Sequence, residues 1–152
     1  MENLNYILDK YNVRAQKSPI ELWGSRWITL PRLFKRLGFK IGAEIGVYKG
    51  RFSKFLAMNN PILKLYCVDR WEAYGGYKDI ESQNMMDKYF LETKARLAPY
   101  NCQIIRDWSI SAAKRFASES LDFVYIDANH DYEHVKDDIR EWSKKVRKGG
   151  IV

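Results

Sequence analysis

Ile41-Gly42-Ala43-Glu44-Ile45-Gly46-Val47-Tyr48-Lys49-Gly50-Arg51-Phe52-Ser53 decides how the rest of the chain is read. An apolar run carrying one carboxylate, Glu44, passes through Gly46 and Gly50 and opens into a helical pattern, which predicts a strand, a tight loop and a helix start. Gly46 and Gly50 let the main chain approach a ligand without an intervening Cβ, and the helix starting near Arg51 offers unpaired N–H groups. The spacing is E-x-G-x-x-x-G, so the G-x-G-x-x-G turn that holds a dinucleotide pyrophosphate is missing.

Downstream, the pattern repeats strand, acid, helix. Phe52, Phe55 and Leu56 predict a short helix ended by Asn59-Asn60-Pro61, and Leu63 to Asp69 reads as a second strand with Asp69 at its carboxyl end. A carboxylate there can accept both hydroxyls of a ribose, or cap the following turn. Arg70 to Lys78 is a Gly-rich aromatic loop, with Trp71 placed near a cofactor and Tyr74 and Tyr77 toward a substrate, or all three simply packing. Residues 82–97 predict a helix on Met86, Tyr89, Phe90 and Leu97, Cys102 to Arg106 a third strand, and Asp107-Trp108-Ser109 its ligand-side end, where Asp107 or Ser109 can also cap a helix.

Leu121 to Asp127 is a fourth strand. Tyr132, Val135, Ile139, Trp142 and Val146 give one face of an amphipathic helix that Gly149-Gly150 should break, leaving Ile151-Val152 to begin a fifth strand. On this reading Asp137 and Asp138 lie mainly on the helix's other faces. Upstream, Leu4, Ile7, Leu8 and Tyr11 predict one helix. Thr29, Pro31, Leu33, Phe34 and Gly38 predict another that starts at Thr29 with Pro31 in its first turn. Trp23 and Trp27, between the two, read as core or lid aromatics. Residues 1–37 are expected to be an N-terminal helical extension and residues 38–152 the ligand-binding domain.

Composition bounds the class. With 152 residues the chain is about one domain, long enough to bury roughly two-thirds of its unfolded surface. Cys67 and Cys102 lie in apolar strand-like runs and read as free thiols of a reducing cytoplasm. No apolar run approaches the ~20 residues of a membrane span, and the first residues have no signal-peptide pattern. The net charge of +7 is spread along the chain, and the one dense run, Lys144-Lys145-Val146-Arg147-Lys148, reads as a solvated helix end. Charge alone therefore does not argue for nucleic acid, and no N-P-P-[YF] motif of base-modifying enzymes occurs.

The run Val124-Tyr125-Ile126-Asp127-Ala128-Asn129-His130-Asp131-Tyr132 resembles the [VI]-x-I-D-x-x-H-x-Y signature of small-molecule O-methyltransferases of the macrocin and catechol type. The first loop, Glu44-x-Gly46-x-x-x-Gly50, resembles motif I of the class I S-adenosylmethionine-dependent methyltransferases. The resemblance covers roughly residues 38 to 152. It implies a Rossmann-like α/β fold, an open and mainly parallel sheet of order 3-2-1-4 with an incomplete fifth strand beside the fourth. It implies S-adenosylmethionine held by Glu44, Ile45, Gly46, Val47, Tyr48, Gly50, Ser53, Asp69, Arg70, Trp71, Asp107, Trp108 and Asp127. Asp107 or Trp108 would meet the adenine.

His130 is then the candidate base that removes the acceptor's proton, since an imidazole titrates near ~6.5. Asp127 would orient it, hold the positive methionyl end, or begin a Mg²⁺ site. His134 reads as structural. The expected acceptor is a small hydroxylated, sugar-like molecule, with no nucleic acid or membrane partner. In the family the chain runs on through further strands that complete the acceptor side, so this one reads as a fragment or a short form. Its unfinished sheet edge would invite a second copy. A non-catalytic cofactor-binding module is the alternative, with a nicotinamide enzyme behind it.

Overall fold

The computed structural model describes residues 2–13, 24–73 and 82–152. Tyr74 and Tyr77 of the aromatic loop, and Trp23, lie outside the described residues. In chain order the elements are α1 (Glu2–Tyr11), α2 (Arg26–Arg36), β1 (Ile41–Ile45), α3 (Arg51–Asn59), β2 (Lys64–Asp69), α4 (Gln83–Leu97), β3 (Cys102–Arg106), α5 (Ser109–Ala113), β4 (Leu121–Ile126), α6 (Tyr132–Ser143) and β5 (Val146–Ile151).

The strands form one sheet of order β3-β2-β1-β4-β5, every neighbouring pair parallel. Strand alternation sorts the side chains into two layers. Leu65, Cys67 and Phe123 face α1 to α4, where Ile7, Leu33, Phe34, Phe52, Leu56 and Tyr89 close one core. Ala43, Ile45, Val68 and Val124 face the other way, against Ala112 and Ala113 of α5 and Trp142 of α6. Gly42 makes the first layer possible: a Cβ there would lie 2.3 Å from the Phe123 ring, which stacks on Phe34 with centroids 3.9 Å apart. The expected fold class and strand order are thus observed.

Three local expectations need correction. The carbonyl of Ser25 already accepts from the N–H groups of Ile28 and Thr29, so α2 begins at Arg26, Ser25 precedes it, and Pro31 lies inside the helix rather than in its first turn. The last helix ends at Ser143, and Val146 belongs to β5. Gly149 and Gly150 do not precede that strand. They sit within it, where the ladder passes from Leu121↔Val146 to Phe123↔Ile151, so two steps of β4 face five of β5. A bulge of this kind absorbs residues that would otherwise break the pairing.

The basic run at this corner is partly structural. Lys145 donates to the Phe116 carbonyl, and Arg147 Nε lies 2.6 Å from Asp122 Oδ1. Asp122 Oδ2 in turn accepts from the N–H groups of Lys40 and Ile41 at 2.6 and 2.9 Å, so one carboxylate ties the starts of β1, β4 and β5 together. Cys67 and Cys102 are free thiols. Among the described residues no helix is long and apolar enough to cross a membrane.

Candidate active site

A parallel sheet leaves its strand carboxyl ends open where adjacent connections diverge, and β1, β2, β3 and β4 together form a cleft of about 1030 Å³ there. Its floor is main chain. Gly46, at φ +89°, donates its N–H to the Val68 carbonyl at 2.9 Å, and a Cβ on it would lie 2.3 Å from the Asp127 carbonyl oxygen. Only glycine lets the ends of β1 and β4 approach so closely.

The loop after Gly46 is held from both sides. Tyr48 adopts φ +52°, uncommon for a residue with a side chain. Its carbonyl accepts from Trp71 Nε1 at 2.7 Å and from Thr93 Oγ1 at 3.0 Å. Its N–H, and that of Val47, donate to Asp69 Oδ2 at 2.8 and 2.9 Å, while Asp69 Oδ1 accepts from the Trp71 N–H. Asp69 therefore organises the loop, as the capping role expected of it requires, and it also lines the cleft.

Three of the expected cofactor residues lie behind the cleft wall. Trp71 is fully buried and packs on Phe90, with ring centroids 5.1 Å apart. Gly50 lies against Thr93 at the start of α3. Ser53 is fully buried and gives its hydroxyl proton to Glu44 Oε2 at 2.5 Å. Burial pushes the Glu44 carboxyl up to about 8; the Ser53 hydrogen bond opposes this, and the nearby Asp127 carboxylate adds to it. Burial thus favours the neutral, protonated form of Glu44 at the foot of the cleft.

Ile45, Val47, Arg70, Asp107, Trp108, Asp127 and His130 line the open part. Asp107 Oδ1 accepts from the Trp108 N–H at 2.8 Å, and Oδ2 accepts from Arg115. The indole of Trp108 is half exposed, and the Arg70 guanidinium carbon lies 3.4 Å from its ring centroid. Ser109 caps nothing. It is the first helical residue of α5, donating to Asp138 and accepting from Trp142 Nε1 at 2.8 Å. Asp138 is consequently buried and turned inward, not on the solvent face of its helix. Burial raises its carboxyl pKa, with the Ser109 hydroxyl opposing.

At the end of β4 the Asp127 N–H donates to the Ile45 carbonyl at 2.8 Å. Its carboxylate meets a residue that sequence reading missed: Arg26 Nη1 lies 2.6 Å from Asp127 Oδ2 and 2.8 Å from the Tyr125 hydroxyl. His130 Nε2 is 3.9 Å from Asp127 Oδ1, beyond hydrogen-bond distance, and its ring is largely exposed. His134 Nδ1 approaches Asn129 at 3.4 Å and lies on the rim.

These donors do not fit a divalent cation. Among the described residues no three His, Cys, Asp or Glu side chains cluster as a metal site. They do fit an adenosyl amino acid, with a main-chain floor and carboxylates at the ends of β2 and β4.

An open α/β sheet with a ligand cleft at its switch point defines the class, and comparison with known proteins gives the family. A family described as "Methyltransferase domain" matches residues 43–152, and the chain belongs to it. No curated protein sequence matches significantly. Among solved structures, a Staphylococcus aureus protein assigned as a caffeoyl-CoA O-methyltransferase superposes with a TM-score of 0.63 at 15% identity, covering 99% of this chain and 72% of that one. An O-methyltransferase from Bacillus cereus, solved with S-adenosylhomocysteine, gives 0.59 at 17% identity, covering 97% and 62%. A cofactor-bound Rv0187 from MTB gives 0.54 at 17% identity, covering 93% and 61%. The chain thus spans less than two-thirds of the length of the last two.

Proposed function

We propose that this chain is the cofactor-binding part of an S-adenosylmethionine-dependent O-methyltransferase acting on a small hydroxylated acceptor, with sugar-like compounds first to be tested. The observation that carries the reading is the convergence of Gly46, Asp69 and Asp127 on one cleft, with main chain as its floor. The family match and the cofactor complexes of the Bacillus and MTB neighbours support it. Free thiols support a reducing, cytoplasmic setting.

In this reading Asp69 faces the ribose, Trp108 and Asp107 flank the base, and Asp127 takes the ammonium of the methionyl end. When bound, S-adenosylmethionine supplies an electrophilic methyl group for in-line displacement. The chain's own part is to hold the acceptor oxygen in line and remove its proton. His130 has the chemistry of that base and stands at the cleft rim, four residues past the end of β4.

Calorimetric titration with S-adenosylmethionine, S-adenosylhomocysteine and NAD tests the proposal. Binding of the adenosyl pair without NAD is the expected result, and binding of NAD alone would replace the reading with a nicotinamide one. A second reading, cofactor binding without catalysis, is favoured by the 3.9 Å gap that leaves His130 unoriented by Asp127. Methyl transfer to a hydroxylated acceptor would reject it.

A further inference from the structure

Arg26 is the one residue of α2 whose charge enters the cleft as part of an ion pair, and nothing in the proposed cofactor chemistry requires it there. Its guanidinium is laid across aromatic rings, 5.4 Å from the Phe52 centroid, 5.9 Å from Trp27 and 6.0 Å from Tyr125. Trp27 is itself clamped edge-on between Phe52 and Phe55 at 5.3 and 5.5 Å. A planar cation on a rigid aromatic bed is pre-organised, so little side-chain entropy is lost when it meets a ligand.

Both hydrogen bonds of that cation use Nη1, and the side chain is 44% exposed. Among the described residues Nη2 and Nε take no part in these bonds, and Arg26 lines the cleft, so donors of the fork remain for a ligand there. An Arg fork matches the two oxygens of a carboxylate or phosphate.

Charge balance supplies the second step, and it rests on the proposed assignment of the cofactor's ammonium to Asp127. Two cations would then compete for a single carboxylate. When the ammonium takes Asp127, Arg26 loses its neutralising partner within a partly desolvated wall, and an incoming anion restores the balance.

We infer that Arg26 is a specificity residue for the acceptor, which carries an oxyanion, a carboxylate or phosphate, beside the hydroxyl to be methylated. The Trp27, Phe52 and Tyr125 wall receives the acceptor's body, and Arg26 exchanges Asp127 for the acceptor's anion once the cofactor is in place. The exchange makes cofactor and anion bind cooperatively, because each frees a partner for the other.

The test measures S-adenosylhomocysteine affinity by calorimetry at constant ionic strength, with chloride, inorganic phosphate or benzoate as the anion. The wild-type chain should bind about threefold or more tightly in phosphate or in benzoate than in chloride. Which of the two acts tells a phosphorylated acceptor from a carboxylated one. Arg26→Gln should abolish the enhancement, and Arg26→Lys should retain part of it, keeping the charge but not the fork. An unchanged or weakened affinity in both anions, or an enhancement that survives in Arg26→Gln, would overturn the inference. Failure to bind S-adenosylhomocysteine in any anion would instead strike the cofactor reading on which it rests.

Discussion

Asp69 Oδ2 lies 2.8 Å from the main-chain nitrogen of Tyr48, a residue held at φ +52°, so a strand-end acid keeps the neighbouring loop in a conformation it would otherwise leave. Removing the carboxylate orphans the N–H groups of Val47, Tyr48 and Trp71 together. Hydrogen bonds to a charged group contribute about 1.5–3 kcal/mol. Asp69→Ala should therefore lower unfolding stability by roughly that amount and weaken S-adenosylhomocysteine binding by about 100-fold, as read by urea denaturation and calorimetry. A loss of binding with unchanged stability would mean that Asp69 contacts the ligand without organising the loop.

Glu44 gives the cleft a pH signature. Its carboxyl, raised by burial to about 8, binds a proton in the folded state that the unfolded chain releases near its ordinary value of 4.5. The stability linked to that proton is fully present below about pH 4.5 and is lost as pH rises through about 8. Its full extent is a few kcal/mol. Unfolding free energies measured from pH 5 to 8.5 should fall more steeply for the wild type than for Glu44→Gln, whose amide can still meet Ser53. Parallel curves would show that Glu44 ionises freely.

How much of this was legible in the sequence depends on how local each interaction is. The E-x-G-x-x-x-G loop and the strand-end positions of Asp69, Asp107 and Asp127 are legible in the pattern, because a parallel sheet brings every strand's carboxyl end to one edge. The ligand roles expected of Asp107 and Asp127 come from the family resemblance. Arg26 was not legible: it is one of 26 basic residues and meets Asp127 across 101 positions of chain. Trp71 looked like a ligand aromatic for its place in a polar loop, yet it is buried against Phe90 of α4, its indole N–H bonded to the Tyr48 carbonyl. Asp138 looked solvated because helical periodicity marks only apolar faces, whereas a hydroxyl from α5 makes its burial tolerable. The start of β5 was misplaced because a glycine pair signals a break equally well when it forms a bulge.

His130 separates catalysis from binding. It lines the rim without bonding Asp127, so its removal should leave the cleft intact. In a form of the protein that turns over, His130→Ala should change S-adenosylhomocysteine affinity less than about twofold while methyl transfer falls by about 10²–10⁴, the usual contribution of a positioned base. The residual activity should rise with pH, as the acceptor hydroxyl ionises unaided. An equal loss of binding and turnover would make His130 a cofactor or loop residue.

Asp122 provides the contrast, a buried carboxylate at the opposite, amino-terminal end of the sheet from the cleft. It accepts from the N–H groups of Lys40 and Ile41 and from Arg147, joining β1, β4 and β5. Burial opposes its ionisation, but the two N–H donors and the Arg147 guanidinium prevail and hold its carboxyl below the ordinary 3.8. Its contribution is therefore present above about pH 4 and is lost as pH falls through that depressed value. Asp122→Ala leaves two main-chain donors and a guanidinium without their acceptor and should cost about 3 kcal/mol, measured by urea denaturation at pH 7. Because the deficit shrinks only under acid conditions, the two proteins should converge in stability below pH ~4. Cofactor affinity of the folded fraction should stay within about twofold of wild type, since no cleft residue is touched. A large loss of affinity would mean that the β4–β5 corner sets the position of Asp127 along its strand, and that the two ends of the sheet are coupled.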